Sequence, residues 1–160
     1  MTNLFSPIRI DFTVPRELGI DEIPGIAEDF AQATRNAQAA GFDGVELHGA
    51  NGYLHDQFLQ DGSNKRIDAY GGSSENRARL MIETTQAMID AWDAAHVGVR
   101  LSPSSHLYGV DDSSKRETFG AVIDDLNALG IAYLTLLEPS AKDAEKGVQI
   151  EQVAATFAQG

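Results

Sequence analysis

The sequence predicts an α/β fold in which about three to four parallel βα units share one sheet. Three observations lead there. Apolar residues recur at helical spacing in long segments near 21–40, 73–95 and 116–129. Between them lie short, nearly continuous apolar runs at 42–47, 97–101 and 131–137, the pattern of strands covered on both faces. The resulting order, α-βα-βα-βα, calls for parallel strands joined by right-handed crossovers. A closed eight-stranded barrel of such units needs roughly 200 residues or more. With 160 residues, the chain is expected to form an open sheet or to complete itself with a second copy or another chain.

Residues 1–10, MTNLFSPIRI, read as an extended amphipathic segment, and DFTVPRELG after them as an exposed connection with turns at Pro15 and Gly19. In the first helix Ile23, Ile26, Phe30, Ala33 and Ala37 are expected to face the core, with Asp21 as cap, Pro24 in the first turn and Gly41 as the stop. After the first strand and a long polar loop, Ser73 or Ser74 caps a helix running to about Ala95, with Met81, Ile82, Thr85, Ile89 and Trp92 on one face. A second polar loop, 103–115, leads to a helix with Phe119, Val122, Ile123, Leu126 and Leu129 inward, closed by Gly130. A solvated linker at 142–147 precedes a final helix from about 149 to 158. The chain thus reads as one domain, with an extended 1–20, a βα core at 21–140 and a linker and terminal helix at 141–160.

Composition narrows the function. Twelve basic residues against 24 acidic ones leave a formal charge of -12, which argues against a nucleic-acid or anionic-membrane surface, because both need clustered Lys and Arg. The opening lacks the apolar core of a signal peptide, and no stretch approaches the roughly 18 apolar residues of a membrane span. An acidic cytoplasmic protein is the expectation. With no cysteine there is no disulfide framework, thiolate chemistry or cysteine metal site. His55, His96 and His106 show no metal-ligand spacing with carboxylates.

Polar chemistry concentrates in GFDGVELHGANGYLHDQFLQDGSNKRIDAYGGSSENRAR, from Gly41 to Arg79. His48, Asn51 and Tyr53 leave the end of the first strand together, and such groups at the carboxyl end of a strand that feeds a helix point to a site. A His and an Asn three residues apart also suit a cap or turn pair, and Arg100, at the end of the second strand, suits an ion pair with Glu46 or Glu138. NKRIDAYGGSSENR reads as largely structural: Gly71 and Gly72 permit a tight turn, and Arg66, Asp68, Glu75, Asn76 and Arg77 suit a polar network that fixes the loop.

The runs HGANGYL, DQFLQDGSNKR, DAYGG and SENRAR, followed in order by GVRLSP and IAYLTLLEP, closely resemble the old yellow enzyme family of flavin-dependent ene-reductases. The resemblance extends from about Glu22 to Pro139, and MTNLFSPIRI resembles the family's amino-terminal start. It implies a partial TIM (β/α)8 barrel that lacks the first three strands between about Ile10 and Pro15. Ile67 stands where the family usually has threonine.

The resemblance also implies chemistry: hydride passes from reduced FMN, recharged by NAD(P)H, to an activated alkene such as an enone or nitro compound. His48 and Asn51 match the family's donor pair for the substrate oxygen on which charge develops, worth about 3 kcal/mol per donor. Tyr53 matches its proton donor, a phenol that stays protonated at neutral pH yet serves a developing carbanion as general acid. Arg100 matches the arginine beside the flavin ring. The family's phosphate-binding loops from the last two strands have no counterpart in this sequence. Two other functions remain open: a truncated or engineered half-barrel with a structural or self-assembling role and no flavin activity, and a small-molecule binding module that keeps the donor pair. The exposed edge of a partial barrel predicts a homo-oligomer or a complementing barrel chain.

Overall fold

The structure, a computed structural model, describes residues 15–105 and 109–138. Strands β1 (Val45–Gly49), β2 (Val97–Leu101) and β3 (Tyr133–Leu136) form one parallel sheet in the order β1-β2-β3. Among the described residues the helices are α1 (Ile23–Ala39), α2 (Leu54–Leu59), α3 (Ser74–Ala91) and α4 (Lys115–Ala128), with a 3-10 turn at Ala94–His96 before β2. The expected extended segment 1–10, His106, and the linker and helix at 141–160 lie outside the described residues.

Register decides what each sheet face carries. Leu47 pairs with Val99 and Val99 with Leu134, while His48 pairs with Arg100 and Arg100 with Thr135. Because side chains alternate along a strand, the first row faces the helices and the second faces the other way. Leu47, Val97, Val99 and Leu101 join Met81, Met88, Phe119, Val122, Ile123 and Leu126 in one core. Each fully buried aliphatic side chain there contributes about 1.5–3 kcal/mol. A smaller cluster, Ile23, Phe58, Tyr70 and Leu80, lies beneath the loop that follows β1.

The opposite face is polar. Glu46 accepts from the Thr135 hydroxyl at 2.8 Å, and the Tyr133 ring lies across Gly98, where an added Cβ would stand 2.3 Å from the ring's Cζ. Gly98 is therefore a matter of space: any side chain would push Tyr133 away. Burial and the neighbouring Glu46 carboxylate raise the Tyr133 phenol above its ordinary value.

Several expectations need correction. β1 starts at Val45, not Phe42, and Phe42 is 65% exposed, because the chain is still turning out of α1 there. In α1 the buried positions are Ile23, Ala31 and Thr34, with Ile26 and Phe30 partly buried, whereas Ala33 is exposed. Small alanines do not mark a helix face strongly, and packing against α3 selects the stripe. α3 ends at Ala91, and Trp92 stacks on His96 at 4.6 Å between ring centroids instead of entering the core. β3 is half exposed, so its apolar run does not report cover on both faces; among the described residues the helices pack on one face.

Candidate active site

β1 delivers its last side chains to a tight turn that leads into α2. Asn51 takes φ +58°, and it is the non-glycine residue among those described with positive φ, followed by Gly52 at +76°. Left-handed backbone costs roughly 1–2 kcal/mol for most residues, and Asn and Gly tolerate it best. Tyr53 then caps the six-residue α2 in extended conformation, and its amide donates to the Ala50 carbonyl at 3.2 Å. This geometry brings the Tyr53 ring back to His48, with ring centroids 5.2 Å apart and tilted by 56°.

His48 and Arg100 are register partners on the open face, so the expected residues meet at the carboxyl ends of adjacent strands. Two of them carry unspent polar atoms. Asn51 Oδ1 and Arg100 Nε are buried and have no hydrogen-bond partner. Among the described residues Arg100 makes no ion pair, and Glu46 turns instead to Thr135, so the salt bridge with Glu46 is not formed. A buried donor without an acceptor is costly in a finished fold and common where a ligand is expected.

Beneath the turn lies a network that sequence reasoning missed. The Asn51 amide donates to Ser102 Oγ at 2.7 Å and the Gly52 amide to Asp56 Oδ2 at 2.8 Å. Gln60 Nε2 donates to Asp56 Oδ1 at 2.6 Å, and the Ser102 hydroxyl approaches Asp56 Oδ2 at 3.4 Å. Burial raises the Asp56 carboxyl above its usual range, opposed by the Gln60, Gly52 and Ser102 hydrogen bonds and the Lys115 charge. The one available signal was the four-residue spacing of Asp56, on a helix too short to show a period, and Gln60, which caps its end.

The expected loop network divides in two. Arg66 grips Asp68 through both Nε and Nη2 and donates to the Leu18 carbonyl at 2.7 Å. Arg77 instead joins the loop's Gly72 carbonyl to the Leu59 carbonyl and to Asp112 before α4 and Thr118 within it. Ser73 caps α3 by accepting from the Asn76 amide at 3.3 Å. Among the described residues no group of three His, Asp or Glu stands within reach of one metal ion.

His55, beside Asp56, is 2% exposed against the Phe30 ring and the Thr84 hydroxyl, and burial pushes its pKa down to about 4. Above pH about 6.5 both folded and unfolded histidine are neutral. As pH falls below that, the unfolded chain takes up a proton that the folded chain refuses, so stability drops, by about 2 kcal/mol at pH 5. Asp56 works in the opposite sense at lower pH, because its raised carboxyl binds a proton first in the folded state. Urea midpoints at pH 7.5 and 5.0 are expected to separate for the wild-type chain by that amount more than for His55→Leu. Equal pH slopes would refute a neutral buried histidine.

Among the described residues no helix is long and apolar enough to cross a membrane. The chain matches the sequence model of the NADH:flavin oxidoreductase / NADH oxidase family over residues 4–159. Among its curated relatives, it is 46% identical over 131 residues to 12-oxophytodienoate reductase 2 of Arabidopsis thaliana, a match covering 82% of this chain and 35% of that protein. It is 48% identical over 130 residues to a putative 12-oxophytodienoate reductase 10 of Oryza sativa subsp. japonica, covering 81% of this chain and 41% of the relative. Among solved structures, an old yellow enzyme homologue from Zymomonas mobilis matches with a TM-score of 0.87 at 35% identity, over 95% of this chain and 44% of that one. Morphinone reductase matches with a TM-score of 0.86 at 40% identity, over 92% and 40%, and a structure of it in complex with tetrahydroNAD with 0.82. The chain therefore spans about two fifths or less of the curated relatives it matches. The parallel sheet with its helices is a part of the TIM barrel of these enzymes. On the family match and these likenesses, carried by chain sequence and fold alike, the chain belongs to the old yellow enzyme family of NADH:flavin oxidoreductases.

Proposed function

We propose that this chain carries the substrate-donor end of an FMN-dependent, NAD(P)H-using oxidoreductase that reduces activated alkenes such as enones and nitro compounds. The observation that carries the reading is the group at the ends of β1 and β2: His48 and Tyr53 with rings 5.2 Å apart, Asn51 on the same turn, and Arg100 beside His48 with a buried Nε that nothing engages. That unspent donor fits a cofactor with hydrogen-bond acceptors at a ring edge, and Arg100 would hold FMN through it. When bound, FMN supplies the hydride and NAD(P)H restores it.

The remaining chemistry belongs to side chains of this chain. His48 and Asn51 donate hydrogen bonds to the substrate oxygen, where negative charge gathers as the alkene accepts hydride; turning the Asn51 amide over exchanges its oxygen for a donor. Tyr53 delivers its phenolic proton to the α-carbon, so that hydride and proton together saturate the bond. The open polar face that bears His48, Arg100 and Thr135, and the unpaired edges of β1 and β3 among the described residues, support a further reading of how the site is enclosed. Added strands, from a second copy or a complementing chain, would cover it.

Titration of the purified chain with FMN, read by flavin fluorescence, tests this function, with light scattering for assembly. Binding in the micromolar range is expected, weakened about tenfold or more by Arg100→Ala, since a charge-assisted hydrogen bond is worth about 1.5–3 kcal/mol. No FMN binding at any accessible concentration would instead favour a structural half-barrel without flavin activity.

A further inference from the structure

The geometry points to Asp56 as the positioning residue of the donor turn: its buried carboxylate, working with Ser102, holds Asn51 and Gly52 in the left-handed conformation that sets the Asn51 carboxamide and the Tyr53 phenol on one turn. That these groups are the donors rests on the proposed function; that Asp56 holds the turn rests on geometry alone.

The two successive amides of the turn, Asn51 and Gly52, donate to one connected pair of acceptors, Ser102 and Asp56, an arrangement that suits an anion. Here the anion is internal. The Gly52 amide meets Asp56 Oδ2 directly at 2.8 Å, and the Asn51 amide meets it through the Ser102 hydroxyl, 2.7 Å from the amide and 3.4 Å from the carboxylate. Asp56 is 1% exposed and Ser102 0%, so both acceptors under the turn are themselves shielded from water. Burial disfavours this carboxylate's charge, as its raised pKa records. Its hydrogen-bond partners are the Gly52 amide, the Ser102 hydroxyl and the Gln60 side chain, and the first two tie it to the turn above.

The placement also links the two halves of the site. Asp56 lies on α2, three residues after Tyr53, while Ser102 follows the β2 strand that bears Arg100. Their contact thus ties the turn after β1 to the end of β2. Gln60 fixes the carboxylate's other oxygen at 2.6 Å and keeps its own Oε1 buried without a partner. That spare acceptor makes Asp56→Asn tolerable: the new carboxamide oxygen still accepts from Gly52, and a turned-over Gln60 accepts its N–H.

Residue-resolved amide exchange of the full chain, paired with phenol binding, tests the assignment. In Asp56→Ala, exchange at Gly52 and Asn51 is expected to quicken about tenfold or more while Val99 and Leu101 stay unchanged. Asp56→Asn is expected to return both amides to within about threefold of wild type. Unchanged exchange at Gly52 in Asp56→Ala overturns the assignment. Should Asp56→Ala fail to fold, Ser102→Ala decides: faster exchange at Asn51 supports it, and an unchanged rate overturns it.

Phenol binding that is lost in His48→Ala identifies the donor pair. Binding is then expected to weaken about tenfold in Asp56→Ala and to recover in Asp56→Asn, and full affinity in Asp56→Ala contradicts a positioning role. If the wild-type chain binds no phenol, the proposed function fails on that evidence, and the exchange rates alone decide whether Asp56 holds the turn.

Discussion

Replacing Arg77 with alanine is expected to cost the fold about 3–5 kcal/mol, because it strands a buried carboxylate. The Asp112 side chain is fully buried, and Arg77 reaches it at 3.0 Å from a side chain only 8% exposed. The same guanidinium satisfies the Leu59 carbonyl at 2.8 Å, the Gly72 carbonyl at 2.6 Å and the Thr118 hydroxyl at 2.9 Å. Deleting it therefore leaves two carbonyls without a donor and a charge without its counter-charge in one step. Asp112 retains the Asp61 and Ser114 amides and the Thr118 hydroxyl, which support a carboxylate but do not neutralise it. At roughly 2–4 °C per kcal/mol for a chain of this size, the thermal midpoint should fall by about 6–20 °C. Arg77→Lys keeps the charge but loses the planar fork, and should fall between. A midpoint within about 3 °C of wild type in Arg77→Ala would show that the loop packs without this pair.

His48→Ala is expected to act in the opposite way, on chemistry and not on the fold. Removing one donor to a developing oxyanion typically lowers turnover about 100–1,000-fold. His48 is exposed at the end of β1 and contacts the Tyr53 ring, so its loss should change stability by no more than about 0.5 kcal/mol. Asn51→Ala should have a similar kinetic effect but add a conformational penalty, because alanine does not accept φ +58° as readily. Steady-state reduction of an enone with NADPH, under conditions where FMN is bound, measures both. Undiminished turnover in His48→Ala would remove this residue from the reaction and leave Tyr53 and Asn51 to be assigned anew. The two variants thus separate two demands on one loop-bearing unit: Arg77→Ala tests what keeps the loop in place, and His48→Ala tests the proposed chemistry at the end of the strand before it.

Much of this was legible in the chain itself. Three apolar runs separated by amphipathic helices specify a parallel α/β sheet because each period can bury its apolar residues in only one kind of element. The runs from HGANGYL to SENRAR placed His48, Asn51 and Tyr53 after the first strand, and the structure sets them at its carboxyl end, with Arg100 in register beside His48. The polar loop before α3 was also expected to be self-supporting, and its Ser73 cap and Arg66–Asp68 pair are local features that a short window of sequence reveals.

Other features depended on contacts between segments far apart in the chain. Asp56 and Ser102 are 46 residues apart, and Arg77 and Asp112 are 35 apart; no periodicity links them, and only folding brings each pair together. The same holds for Tyr133 over Gly98, where the absent side chain of one strand makes room for the ring of the next. The sheet's two faces show the division most plainly. Sequence by itself determined that the strands were apolar, parallel and followed by helices, since hydrophobic period and turn chemistry act within a few residues. Tertiary structure alone decided that β3 is only half buried among the described residues and that a buried carboxylate underlies the turn after β1, because burial is set by what packs against a residue.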